Sequence, residues 1–126
     1  MPGVPYQWAT SGYEGAIHSK GSHTICGMLY GSTAFLGFLH GRNQSKEPEL
    51  EDPKRKQAIA AVNGLFNGFL ERFGATECRT LTKCDHSIPA EVERFYKDEV
   101  YNDACVPQFR YVLAYCLDQL ESLAGK

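Results

Sequence analysis

Apolar positions in this chain recur at spacings of three and four in two long windows, and no useful length alternates with period two. The clearest window follows Asp52-Pro53, where Ile59, Val62, Leu65, Phe66, Phe69, Leu70 and Phe73 lead to Gly74. An N-cap residue, Pro at the first helical position and a terminal Gly predict a helix with that face inward. The two Asn-Gly pairs of "NGLFNGFL" are hairpin signals in other settings. Here the helical spacing around them prevails, and Gly64 and Gly68 are expected to admit close helix contact. The second window holds Phe109, Val112, Leu113, Cys116, Leu117, Leu120 and Leu123 on one face, opened by Asn102 or Asp103 and stopped by Gly125.

Weaker signals fill the rest. Residues 24–40 are apolar and long enough for a helix, with Ser22 or Thr24 as N-cap and Gly41 as the stop; Gly27 and Gly31 are expected to let another backbone approach. "RNQSKEPELED" reads as an exposed loop. Thr76 is expected to cap a short turn over residues 77–81, and Ser87 with Pro89 to start a helix through Val92, Phe95 and Tyr96. Residues 1–21 carry Gly, Pro and aromatics without periodicity and read as an irregular N-terminal arm. Residues 22–126 read as a single domain. The fold class is therefore all-α, a small helical bundle with an irregular arm.

Composition narrows the function classes. A chain of 126 residues buries a real core without disulfides, and its formal charge of −2 is mixed along the sequence, which predicts neither nucleic-acid nor membrane binding. The opening lacks a secretory pattern, and residues 25–39 are too short and diluted to span a bilayer, so the expectation is a soluble cytoplasmic protein. Tyr6, Trp8 and Tyr13 in the arm are interface-type anchors and suggest a homo-oligomer. Phosphate-loop, zinc-hydrolase and di-iron motifs are missing, and the carboxylates of "EPELED" and "AEVERFYKDE" read as solvated faces. Whether the chain is an enzyme is left open.

Five cysteines, an odd set, suit reduced thiols better than a disulfide framework. Cys26, Cys78 and Cys105 each fall just after a capping residue, which predicts them in first helical turns, where free N–H groups and the helix dipole favour thiolate. Cys116 lies in an apolar stripe and reads as core. Cys84, in the polar "TKCDHS", reads equally as a ligand or an exposed idle thiol. His86 and His23 stand close to Cys84 and Cys26 in sequence; these two, His18 and His40 read first as exposed polar residues.

Three ordered segments, "CGMLYGSTAFLGFLHGR", "FLERFGATECRTL" and "ACVPQFRYVLAY", resemble the C_GCAxxG_C_C family of proposed redox-active proteins, with a Cys-Gly-Ala-x-x-Gly hallmark. The resemblance covers roughly residues 12–118 and places Cys26, Cys78 and Cys105 at family cysteine positions, with Cys84 and Cys116 as extras. Met28 stands where the hallmark has Ala, and the family's N-terminal cysteine helix has no counterpart. A related domain accompanies haem in split-Soret-type cytochromes and is associated with an iron–sulfur centre. The resemblance thus implies electron transfer with a redox protein partner, through an iron–sulfur cluster on Cys26, Cys78, Cys105 and, as the fourth thiolate, Cys84. The alternatives are thiol–disulfide redox chemistry without metal, using Cys78 with Cys84 or Cys26 with Cys105, and a structural or assembly subunit with inert cysteines.

Overall fold

A computed structural model describes residues 13–20, 24–40 and 53–124. In chain order the helices are α1 (Tyr13–Ile17), α2 (Gly27–His40), α3 (Pro53–Phe73), α4 (Cys78–Thr82), α5 (Pro89–Lys97) and α6 (Val106–Ala124), with a π-helical turn, Tyr101–Cys105, running into α6. The described chain is all-α, as the periodicity predicts, and has no strand. Among the described residues no helix is long and apolar enough to cross a membrane.

The core lies where α2, α3 and α6 meet, and Leu29, Leu36, Leu65 and Phe69 are its fully buried side chains, joined by Ala61 and Val112. Ala61, Leu65 and Phe69 are spaced by four, so they stack on one line of α3. Tyr115 and Tyr111 of α6 lie over Gly64 and Gly68: an added Cβ at Gly64 would stand 2.5 Å from the Tyr115 hydroxyl, and one at Gly68 would collide with the Tyr111 hydroxyl. The glycines thus admit tyrosine side chains where close helix contact is expected. The Tyr115 hydroxyl donates to the Ala61 carbonyl at 2.6 Å, and Tyr111 meets Phe69 and Phe73 edge-on.

Several sequence expectations need correction. Ile59 and Leu70 face out, because the buried line is narrower than the apolar stripe. The same holds in α6, where Val112 is buried but Phe109, Leu113, Leu117 and Leu120 are exposed. Nothing lies within 4 Å of a Cβ built on Gly31, and a Cβ on Gly27 meets only the Ile17 and Tyr13 side chains, at 3.5 and 3.8 Å. Part of the expected irregular arm is helical: Tyr13 of α1 stacks on Tyr30 at 4.1 Å and donates its hydroxyl to the Ile25 carbonyl at 2.7 Å. Tyr6, Trp8 and the rest of residues 1–12 lie outside the described residues, as do Ser22, His23, Gly41, Asp52 and Gly125.

The caps are rearranged too. α3 does run from Pro53 to Phe73, and Gly74 follows with φ 81, the left-handed conformation that ends a helix. α4 and α5 have no side-chain cap: Glu77 and Ile88 occupy those positions, in place of Thr76 and Ser87. Helical structure leading into α6 begins at Tyr101, ahead of the expected Asn102 or Asp103.

Candidate functional site

One end of the bundle is built by cross-chain hydrogen bonds instead of helix periodicity. The segment entering α2 lies antiparallel to the segment entering α4, with Ile25 bridged to Glu77. The Cys26 N–H donates to the Thr76 carbonyl at 2.7 Å, and the Cys78 N–H to the Thr24 carbonyl at 3.1 Å. Side chains alternate along extended chain, so Cys26 and Cys78 share one face as diagonal neighbours, a relation that spaces Cα atoms by about 7–8 Å. This pairing holds residues 24–26 out of helix, and α2 starts at Gly27 rather than at residue 24.

Cys26 therefore sits at the N-cap of α2. Its carbonyl accepts from the Tyr30 N–H at 3.1 Å, and the backbone of Met28 and Leu29, where a capping oxygen ordinarily finds its donors, acts on the sulfur to favour its charged form. The thiol also faces Oε1 of Gln108 at 3.9 Å. Gln108 is only 3% exposed, and no reading of the sequence singles it out. It stands four residues before Val112, on the inward line of α6, and a polar residue in that register is the signal that could have revealed it.

Cys84 is 1% exposed, which overturns its reading as an exposed idle thiol. Its surroundings are polar in sequence but are tied down locally. The Thr82 hydroxyl donates to the Cys78 carbonyl at 2.8 Å and accepts from the Cys84 N–H at 3.2 Å, while Lys83 takes a left-handed φ of 57. Asp85 accepts from the N–H and hydroxyl of Ser87 at 2.9 and 2.6 Å and pairs with Arg79 at 3.2 Å. These bonds hold its carboxyl below the usual carboxylate range, the Ser87 hydroxyl having the largest effect. Arg94 closes the loop by donating to the Lys83 carbonyl at 2.6 Å. With the polar groups satisfied at the rim, the sulfur turns inward.

Cys105 reaches the same neighbourhood from the end of the π-helical turn, which packs against α4. It is the last residue of that turn, not part of a free first turn of a helix, and so lacks the unpaired N–H groups expected for it. Burial, reinforced by the neighbouring Cys26, Cys78 and Cys84, pushes its thiol up to about 11. Cys78 is raised by burial and then by Cys26 and Cys84, against the opposing Thr82 hydrogen bond and Arg79 charge. Cys26 is raised by burial against the opposing backbone of Met28 and Leu29. The expectation of helix-stabilised thiolates at Cys26, Cys78 and Cys105 is therefore wrong, because desolvation outweighs the helix termini.

Cys116 stands apart. It is half-buried against the core beside Ser32, in keeping with its reading as core. Two histidines expected at the surface are not there. His40 is partly buried and pairs with Gln119 at 2.9 Å. His86 is 9% exposed, meets Phe95 and His18 edge-on at 4.9 and 5.6 Å, and among the described residues its buried Nδ1 has no hydrogen-bond partner. Burial and His18 lower its pKa.

A family model described as "Putative redox-active protein (C_GCAxxG_C_C)" matches residues 3–118, nearly the whole chain and all five cysteines. The chain belongs to the C_GCAxxG_C_C family. No curated protein and no solved structure matches the chain.

The donor set can be weighed against the groups such an end could hold. A single zinc ion draws four sulfurs to about 2.3 Å each. Among the described residues no three His, Cys, Asp or Glu side chains are gathered to hold one ion. Cys26 and Cys78 as diagonal neighbours, buried Cys84 and Cys105 on the turn packed against α4 fit a larger polynuclear centre better, since its sulfurs sit on separate irons.

Proposed function

We propose that Cys26, Cys78, Cys84 and Cys105 hold an iron–sulfur cluster and that the protein passes electrons to a redox protein partner in the reducing cytoplasm. The observation that carries this reading is the pairing of residues 24–26 with 76–78, which sets Cys26 and Cys78 on one face, while burial and then Cys26, Cys78 and Cys84 make the Cys105 thiol a weaker acid. When bound, such a cluster supplies one-electron chemistry. The chain's own residues have defined tasks. The backbone of Met28 and Leu29 favours the charged form of the Cys26 sulfur. The Thr24–Cys26 and Thr76–Cys78 pairing fixes two sulfurs relative to each other, and the Arg79–Asp85–Ser87 bonds hold the loop that turns Cys84 inward.

Protonation favours this reading over thiol–disulfide exchange. A thiol titrating at about 11 is almost entirely neutral near pH 7, and neutral thiols are poor nucleophiles. Metal binding inverts that disadvantage, because a coordinating thiol gives up its proton to the metal charge. Anaerobic purification followed by iron and sulfide analysis tests the proposal. The expected result is brown protein with both elements in fixed ratio, lost in Cys26→Ser, Cys78→Ser, Cys84→Ser and Cys105→Ser and kept in Cys116→Ser. Colourless protein that takes up neither element on reconstitution, while its free-thiol count changes with redox poise, would establish the dithiol reading instead.

A further inference from the structure

Along α6, Phe109, Leu113, Leu117 and Leu120 leave 51%, 44%, 48% and 44% of their surface exposed. In the same helix Val112 is buried. The four follow one another at spacings of four, four and three, the register of a helix–helix seam, over about 17 Å of helix. Beside this ridge α2 contributes an open apolar trough of about 460 Å³, where Met28, Gly31, Ser32 and Phe35 lie across from the ridge residues. Among the described residues a Cβ on Gly31 would meet nothing within 4 Å, which leaves room at that point of the trough for a side chain from outside. A ridge of large side chains next to a trough floored by small ones is a surface complementary to itself under a two-fold axis.

The charges beside the ridge select the direction of pairing. Arg110 and Glu121, both exposed, lie on the same flank of the stripe at its opposite ends, and among the described residues neither makes an ion pair. In an antiparallel pair of α6 helices centred near Tyr115, Leu113 faces Leu117 of the partner subunit. The same register sets Arg110 opposite Glu121 of the partner subunit, and the two-fold axis repeats the pair. In a parallel pair each flank faces the partner's opposite flank, so neither charge meets its complement. From the ridge, the trough and this charge arrangement we infer that the occupant of the groove is a second copy of this chain, docked antiparallel along α6.

Sedimentation of the full-length chain over a micromolar concentration series tests the inference. The wild type is expected to be a dimer, and Leu113→Glu or Leu117→Glu to be monomeric with helical circular dichroism intact, because both side chains already lie outside the core. Arg110→Glu is expected to weaken dimerisation on the order of tenfold by turning two attractive pairs repulsive, and the double reversal Arg110→Glu with Glu121→Arg to restore it. A monomeric wild type, which would leave the groove to residues 1–12 or to an unlike partner, overturns the inference. So does a dimer indifferent to Leu113→Glu, or a double reversal that rescues nothing.

Discussion

The two ends of the chemistry in this protein are built differently. The stem, where α2, α3 and α6 pack, is held by apolar side chains on repeating helical lines, with Leu29, Leu36, Leu65 and Phe69 fully buried. The cysteine end is held by individual hydrogen bonds: one bridge between Ile25 and Glu77, the Thr82 hydroxyl, the Asp85–Ser87 turn and a π-helical turn. Periodic packing gives the stem rigidity that does not depend on any ligand. The cysteine end brings polar and ionisable groups out of water, a costly arrangement that bound metal charge would offset. In that division the stem is a mount, and the irregular end carries the proposed cluster site.

The largest effect that would test this division is expected in the stem. Phe69 is fully buried and touches Phe73 and Tyr111, so Phe69→Ala should cost about 3–5 kcal/mol in urea denaturation of the metal-free protein. Cys116→Ser, at the edge of the same core, should cost less. If Phe69→Ala destabilises no more than Cys84→Ser does, the cysteine end is itself part of the load-carrying core and the comparison fails. A smaller effect is expected at Tyr115, whose hydroxyl reaches the Ala61 carbonyl over Gly64. Tyr115→Phe should lose about 1 kcal/mol, one hydrogen bond's worth, with no change in the thiols' reactivity.

The stem was also the legible part. Pro53, Gly74 and the spacing of Val62, Leu65, Phe66, Phe69 and Phe73 define α3 from local information alone, and the helix runs from Pro53 to Phe73, although Ala61 on its buried line was not among the residues read as core. Stripe width was not legible: Ile59, Leu70 and the outer residues of α6 are as apolar as their buried neighbours, and only the position of the other helices decides which are covered. At the cysteine end, local rules placed Cys26, Cys78 and Cys105 at element boundaries but misjudged their electrostatics. Capping residues are visible in sequence, whereas the burial that overrides them depends on segments far away in the chain. Cys84 was the hardest case, because its polar neighbours satisfy one another and leave the sulfur as the group to bury.

Titration separates the two regions in another way. The folded protein holds the Cys105 thiol neutral up to about 11, against an ordinary value of 9.0 in the unfolded chain. Above that ordinary value the unfolded chain releases a proton that the folded one keeps, which favours unfolding. This stabilising contribution is complete below about pH 9 and is lost as pH rises from 9 to 11; Cys26 and Cys78 act in the same direction. Tyr13 and Tyr115 are raised as well, so the measurement is a difference between variants. Metal-free wild type should lose more stability between about pH 8 and about pH 10.5 than Cys105→Ala does. Equal losses would show that Cys105 is not held neutral by the fold.

The smallest expected effect has the opposite sign to the others. Gly31 lies within α2, its hallmark position suggesting a close backbone contact, yet among the described residues nothing stands within 4 Å of where its Cβ would be. Replacing it with Ala removes the entropic penalty of a helical glycine and collides with nothing, so Gly31→Ala should raise the stability of the metal-free protein by up to about 1 kcal/mol. The contrast lies at Gly68, where an added Cβ meets the Tyr111 hydroxyl and the same helix-propensity gain is opposed by displacing that ring from Phe69 and Phe73. Gly68→Ala should therefore fall below Gly31→Ala in melting temperature. The reverse order would mean that the glycine of the hallmark, not the glycine of α3, is the one hemmed in by packing.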